Sequence, residues 1–169
     1  MLFVNRFEIR KITPSDDFDA ISRIYALSWQ TAYRGIVPQR YLDDLPETRW
    51  AGVLREGRWV SYIALENEKY IGTASVCPAR DEAMSKYGEI VSIYLLPEYF
   101  GRGYGAPLLA HAMTGLKETG YDRIYLWVLE ENKRARAFYE KNGFSPTPDR
   151  LALDIGGKNL TDIRYIRNI

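Results

Sequence analysis

The stretch EIVSIYLLPEYFGRGYGAPLLAHAM, residues 89–113, constrains the fold more than any other part of the chain. A run rich in β-branched and aromatic residues stops at Pro97, glycines follow at 101, 103 and 105, and a helix-compatible apolar run begins at once. A strand that feeds a glycine turn opening a helix gathers the unpaired N–H groups of the first helical turn and the positive end of the helix dipole at one place. Gly101, Gly103 and Gly105 remove the Cβ atoms that would keep an anion away, and Arg102 adds a local positive charge. The pattern predicts a phosphate-binding turn, against the plainer reading of a flexible surface loop.

Around this junction the chain alternates strands and helices. FEIRKI reads as a first strand, and TPSDDFDAISRIYALSW as a helix from about Asp16 to Trp29, with a capping threonine, an early proline and early acids. PQRYLDDL and ETRWAGVLREG suggest one or two further helical pieces, separated by Pro46. RWVSYIALEN and KYIGTASVCPA form a hairpin pattern through Asn67-Glu68, and GEIVSIYLL is expected to run antiparallel beside them. The helix after the glycines is predicted from about Gly105 to Glu118, closed by Gly120; DRIYLWVLE is the next strand and NKRARAFYEKNGF the next helix. The tail carries turn signals at Pro146, Pro148 and Gly156-Gly157 and a last strand near LTDIRYI. The expected class is α/β or α+β with a mixed sheet, in a single domain spanning 1–169.

Composition narrows the partners. With 23 Lys+Arg against 22 Asp+Glu scattered along the chain, there is no polybasic face for nucleic acid or an anionic membrane, so a polyanionic ligand must be met locally. Charge interrupts every apolar run from Met1 to Arg10, and nowhere do about eighteen apolar residues follow one another, so the expectation is a cytoplasmic protein without a leader or membrane span. One cysteine, Cys77, and one histidine, His111, leave no disulfide and no metal site to expect, and both read as structural.

A dinucleotide fingerprint competes for the glycines, since Gly101, Gly103 and Ala106 fit G-x-G-x-x-G/A with Asp122 about 20 residues on. Its first glycine should end the strand, whereas four residues intervene after Leu96, and its acid should end the second strand, whereas Asp122 precedes DRIYLWV. EIVSIYLLPEYFGRGYGAPLL followed by NKRARAFYEKNGF instead resembles the GNAT superfamily of acetyl-CoA-dependent N-acetyltransferases, over about Gly88 to Phe144. Phe100 departs from the family's usual glutamine or arginine at the head of the glycine signature. Pro107 brings no N–H to the first turn, where one could have served a phosphate.

The resemblance implies a mixed sheet splayed between GEIVSIYLL and DRIYLWV, with acetyl-CoA as cosubstrate in the gap and no metal. It implies main-chain contacts to the cofactor from Ile93, Tyr94 and Leu95, with the Ile93 N–H facing the thioester oxygen, and phosphate contacts from Phe100, Gly101, Arg102, Gly103, Tyr104 and Gly105. Asn132 is implied either as a cofactor contact or as a helix cap. Glu89 matches the family's catalytic glutamate, with a solvated strand-end acid and a water chain as the alternatives. If the strand is regular, Glu89 shares a face with Ile93. Tyr139 matches the tyrosine that protonates the leaving thiolate, and is otherwise a core aromatic. The helical segment after the first strand implies Trp29 and Tyr33, with Tyr41, as one wall of an amine pocket or as core. The expected function is direct acetyl transfer to a primary amine of a small molecule or peptide, with a non-catalytic acyl-CoA-binding module as the alternative; monomer and homodimer are both open.

Overall fold

A computed structural model describes residues 6–169; the first five residues of the opening stretch lie outside it. Seven strands form one sheet in the order β1-β2-β3-β4-β5-β7-β6: β1 (Phe7–Lys11), β2 (Val60–Glu66), β3 (Lys69–Pro78), β4 (Gly88–Leu95), β5 (Arg123–Leu129), β6 (Ser145–Ile155) and β7 (Lys158–Asn168). Every pairing is antiparallel except β4 with β5. The β2–β3 hairpin turns through Asn67 and Glu68, both at positive φ, a turn whose twist matches that of the strands it joins.

Helix α1 (Phe18–Ala32) begins later than the sequence suggests. Asp17, not Thr13, caps it by accepting from the Asp19 and Ala20 N–H groups. Thr13 instead closes a turn on Asp16, whose carboxylate also pairs with Arg10 at 2.7 Å. Short helices α2 (Gln39–Asp43) and α3 (Ala51–Glu56) follow, then α4 (Gly105–Glu118) and α5 (Lys133–Lys141). The sequence does not announce β6, since Pro146 and Pro148 are turn signals. Both prolines stand in an edge strand, where a missing N–H disturbs no second neighbour, and the β6–β7 register slips between Pro146 and Arg150.

The sheet separates two packed layers. Ile71, Val76 and Ile90 meet Leu108, Leu109 and Leu116 of α4 on one face; Ile63 and Leu65 meet Ile21, Tyr25 and Leu54 of α1 and α3 on the other. Each fully buried Leu or Ile here contributes roughly 1.5–3 kcal/mol. A third cluster, Val37, Leu42, Leu45, Leu129 and Leu160, fastens the segment after α1 to the ends of β5 and β7.

Candidate active site

β4 and β5 pair only at Gly88↔Ile124 and Glu89↔Tyr125, and then part. The parting coincides with a bulge: Ser75 faces Ser92 and Val76 faces Ile90, so Val91 is an extra residue in β4. The bulge reverses the expected facing of Glu89 and Ile93. Glu89 joins Ser92 and Tyr94 on the α1 side, where Ser92 meets Tyr25 and Tyr94 meets Trp29, while Ile93 packs with the α4-side core. Past the bulge the Leu96 N–H bonds to Ile71. In an antiparallel ladder hydrogen-bonded pairs alternate, so Tyr94 and Ser92 spend their main-chain groups on β3 while Ile93 and Leu95 turn theirs toward the gap. A cleft of about 300 Å³ fills the gap, lined by β4 from Ile90 to Tyr94, β5 from Trp127 to Leu129, and residues of α1, α5, β6 and β7.

At the open end of the gap lies the glycine turn. Gly101 and Gly103 have φ of 69° and 89° with free space where a Cβ would stand, so the backbone there is both left-handed and bare. Gly105 is needed for a different reason: a Cβ would lie 3.1 Å from the Phe138 ring, which packs α4 against α5. No side chain caps α4, leaving its first N–H donors to a ligand. Tyr104 hydrogen-bonds Glu66, and Arg102 reaches the Glu98 carbonyl at 3.3 Å beside the Tyr99 ring. At the departing position, Phe100 carries the guanidinium of Arg134 over its ring at 3.9 Å. A cation thus stands at the head of the turn although the usual residue does not.

Glu89 closes the other end of the gap. It is 2% exposed, so it is not a solvated strand-end acid. One carboxylate oxygen accepts from the Arg80 N–H at 3.0 Å, Arg80 Nε at 3.1 Å and Tyr125 hydroxyl at 2.7 Å; the other accepts from Arg80 Nη2 at 2.5 Å. Burial alone would raise its pKa, but the bonds from Arg80 and Tyr125 outweigh burial and hold it below the ordinary value. A carboxylate so fully engaged is a poor acceptor for a further proton.

Between the two ends, side chains from four elements converge. Trp29 Nε1 donates to the Tyr94 hydroxyl at 3.0 Å, the Tyr33 ring stands edge-on to Trp29 at 4.8 Å, and Tyr139 enters from α5. Burial, the main cause for all three tyrosines, raises their pKa values, Tyr33 to about 12, so each keeps its proton at neutral pH. Tyr41 lies elsewhere, against Gly156. Asn132 caps α5 through the Ala135 N–H at 3.1 Å and also borders the cleft, which leaves its side-chain amide for a ligand. Asp162 of β7 completes the ring of side chains and makes no hydrogen bond or ion pair among the described residues; burial raises its pKa to about 6.

The acetyltransferase (GNAT) family model matches residues 19–144, three quarters of the chain. This protein belongs to the GNAT acetyltransferase family. It is 32% identical over 155 residues to the uncharacterized N-acetyltransferase YuaI of Bacillus subtilis, covering 88% of this chain and 86% of that one. It is 35% identical over 129 residues to the [ribosomal protein bS18]-alanine N-acetyltransferase of Haemophilus influenzae, covering 74% and 80%. In fold it resembles the PaiA N-acetyltransferase of Thermoplasma acidophilum in complex with coenzyme A, with TM-score 0.77, 21% identity, and 97% and 99% of the two chains covered.

The GNAT fold accounts for the splayed sheet, and this member is an acetyl-CoA-dependent N-acetyltransferase. The residues present fit such a cosubstrate: uncapped N–H donors and two cations at the α4 turn suit the phosphates, and the inward-facing main chain of Ile93 and Leu95 suits an amide-bearing arm. Among the described residues no cluster of His, Cys, Asp or Glu could hold a metal, and no helix is long and apolar enough to cross a membrane. Sequence reading missed Asp162 and Arg134. Strand alternation in LTDIRYI does separate Asp162 from Ile163 and Tyr165, but nothing in the string says that its face borders a cleft rather than water.

Proposed function

We propose that this enzyme moves the acetyl group directly from acetyl-CoA to a primary amine of a small molecule or peptide, in the gap between β4 and β5. The observation that carries this reading is the main-chain edge of Ile93 and Leu95, left unpaired inside the molecule between the α4 turn and Tyr139. The α4 turn holds the phosphates through its N–H groups and Arg102, with Arg134 placed by Phe100. Ile93 N–H, a fixed main-chain donor in the cleft, stabilises the charge that develops on the thioester oxygen. Tyr139, protonated at working pH, donates to the departing thiolate.

The position of Cys77 supports direct transfer. It is buried on β3, and burial pushes its thiol up to about 11, so it is no nucleophile for a covalent acetyl intermediate. Glu89, in this reading, fastens β4 to β5 at the root of the gap and takes no proton from the acceptor.

The acceptor enters from the α1 side, past Trp29 and Tyr33. The Haemophilus relative acts, by its name, on the alanine of a ribosomal protein, which makes an N-terminal amine one candidate beside alkyl amines. Steady-state release of free thiol from acetyl-CoA, measured across alkylamines, diamines and an alanyl peptide, tests the reading. Turnover with at least one amine supports it; tight acetyl-CoA binding with no thiol released by any of them returns the protein to the class of acyl-CoA-binding modules.

A further inference from the structure

We propose that Asp162 holds the ammonium group of the acceptor and takes its proton, which makes the preferred substrate a cationic amine whose carbon skeleton lies against Trp29, Tyr33 and Trp127. The inference rests on the acetyl-transfer reading above and adds the acceptor's charge and the identity of the base.

Three observations on geometry support it. Asp162 lies on the α1-side face of the sheet, opposite Leu129 in the β5–β7 register, where β5 has already left β4. It is the sole carboxylate lining the cleft, and its oxygens have no hydrogen-bonding partner among the described residues. Around it stand aromatic rings, which favour a cation and give an alkyl chain apolar contact. Asp162 is half-buried, and a partly desolvated carboxylate with nothing to pair with is held in place at an energetic penalty that a cationic ligand relieves on binding.

The neighbouring charges are all otherwise engaged. Arg80 is tied to Glu89, Arg134 lies on Phe100, and Arg164, two residues along β7, pairs with Asp81 at 2.5 Å and Asp149 at 3.3 Å beneath the Trp127 ring. Tyr33, Tyr94 and Tyr139 line the same cleft as Asp162, from the end of α1, from β4 and from α5, and burial keeps all three protonated through neutral pH. Asp162, raised to about 6 by burial, is thus the one group lining the cleft poised to change charge between pH 5 and 7. That is also where a general base is most useful.

The proton balance closes. The ammonium gives one proton to Asp162, and the neutral nitrogen attacks the carbonyl carbon. The C–N bond forms and the C–S bond breaks; the second nitrogen proton and the Tyr139 donor together leave a neutral thiol, and Asp162 returns its proton to solvent. One proton is released per amide formed.

The test is the pH profile of kcat/KM with an alkylamine of pKa near 10. If Asp162 takes the proton, wild type rises through about pH 6 and then stays level to about pH 9, because the charged amine is the form that binds. Asp162→Asn loses at least a hundredfold at pH 7 with KM for acetyl-CoA unchanged, and its rate instead climbs with pH up to the amine's own pKa. Asp162→Glu restores part of the level region. A wild-type profile that climbs without a plateau to pH 10 overturns the proposal even if the asparagine variant fails to fold, as does an asparagine variant with the wild-type profile. Both outcomes require wild-type turnover, so they are distinct from the absence of any thiol release, which would sink the transfer reading itself.

Discussion

Glu89 and Asp162 lie on the same face of the sheet, one where β4 and β5 are still paired and the other beside the place where they have separated. Glu89 receives four hydrogen bonds from Arg80 and Tyr125; Asp162 receives none from the described residues. Both are carboxylates shielded from bulk water, Glu89 fully and Asp162 in part, yet their pKa values move in opposite directions, the first down and the second up. Burial pushes either one up; only a saturating set of donors reverses the sign. The difference separates a group used to fasten two strands from a group left available to a ligand, and it shows that residue type alone does not identify a base.

The largest effect expected where the strands have separated belongs to Tyr139→Phe, which keeps the ring beside Phe138 and Phe144 and removes only the hydroxyl. A 10²–10⁴-fold fall in kcat with KM for acetyl-CoA nearly unchanged is expected. A thioester with a more acidic leaving thiol should shrink that deficit, and full turnover with both donors would make the tyrosine a packing residue.

At the closed end, Glu89→Ala should destabilise the fold by about 1–3 kcal/mol, less than a fully buried pair because Arg80 is half-exposed and can turn to water. Urea unfolding measures it. Glu89→Gln sharpens the contrast further: its kcat/KM profile should keep the wild-type shape, and a deficit confined to pH below about 8 would instead make Glu89 the base.

Gly103→Val tests whether the open end acts through backbone. At φ 89° a branched residue is strained and its side chain stands where the phosphate should approach, so CoA should bind at least tenfold more weakly, about 1.4 kcal/mol, by titration calorimetry. Unchanged affinity would move the phosphates elsewhere.

The smallest effect is on stability and compares the two acids directly. Asp162 rises from 3.8 to about 6 on folding, so its ionisation disfavours the fold: the penalty is absent below about pH 4 and full above 6. Glu89, lowered from 4.5, stabilises the fold above that value and loses its contribution only as pH falls through its lower folded pKa. Asp162→Asn should therefore raise the melting temperature by a few degrees at pH 8, about 1 kcal/mol, and leave it unchanged at pH 4. An equal shift at both pH values would mean that the side chain matters for packing and not for charge.

Legibility in the sequence followed locality. The α4 turn, the ends of α4 and the β2–β3 hairpin were readable because glycine, proline and Asn67 impose their conformations on their own few residues. The bulge at Val91 was not, because an extra residue exists only relative to the strand opposite; a regular strand put Glu89 and Ile93 on one face. β6 was hidden by its prolines, which an edge tolerates and a central strand does not. Tyr139, Tyr33 and Trp29 were named from the family pattern, but their meeting around Asp162 depends on α1, α5 and β7 closing over one cleft.

The unpaired edge of β4 has a consequence for how this protein survives at high concentration. An open strand edge on a molecule's surface invites a strand from a neighbour, and so invites aggregation. Here the edge opens between α1 and α5, in a slit flanked by side chains on both sides. A whole polypeptide strand with its own sheet behind it cannot enter, whereas a slender linear ligand can. The enzyme thus keeps a row of hungry backbone groups on permanent offer and remains closed to the edge strand of another sheet, and amide hydrogen exchange at Ile93 and Leu95, fast in the free protein, should slow sharply when that ligand is bound.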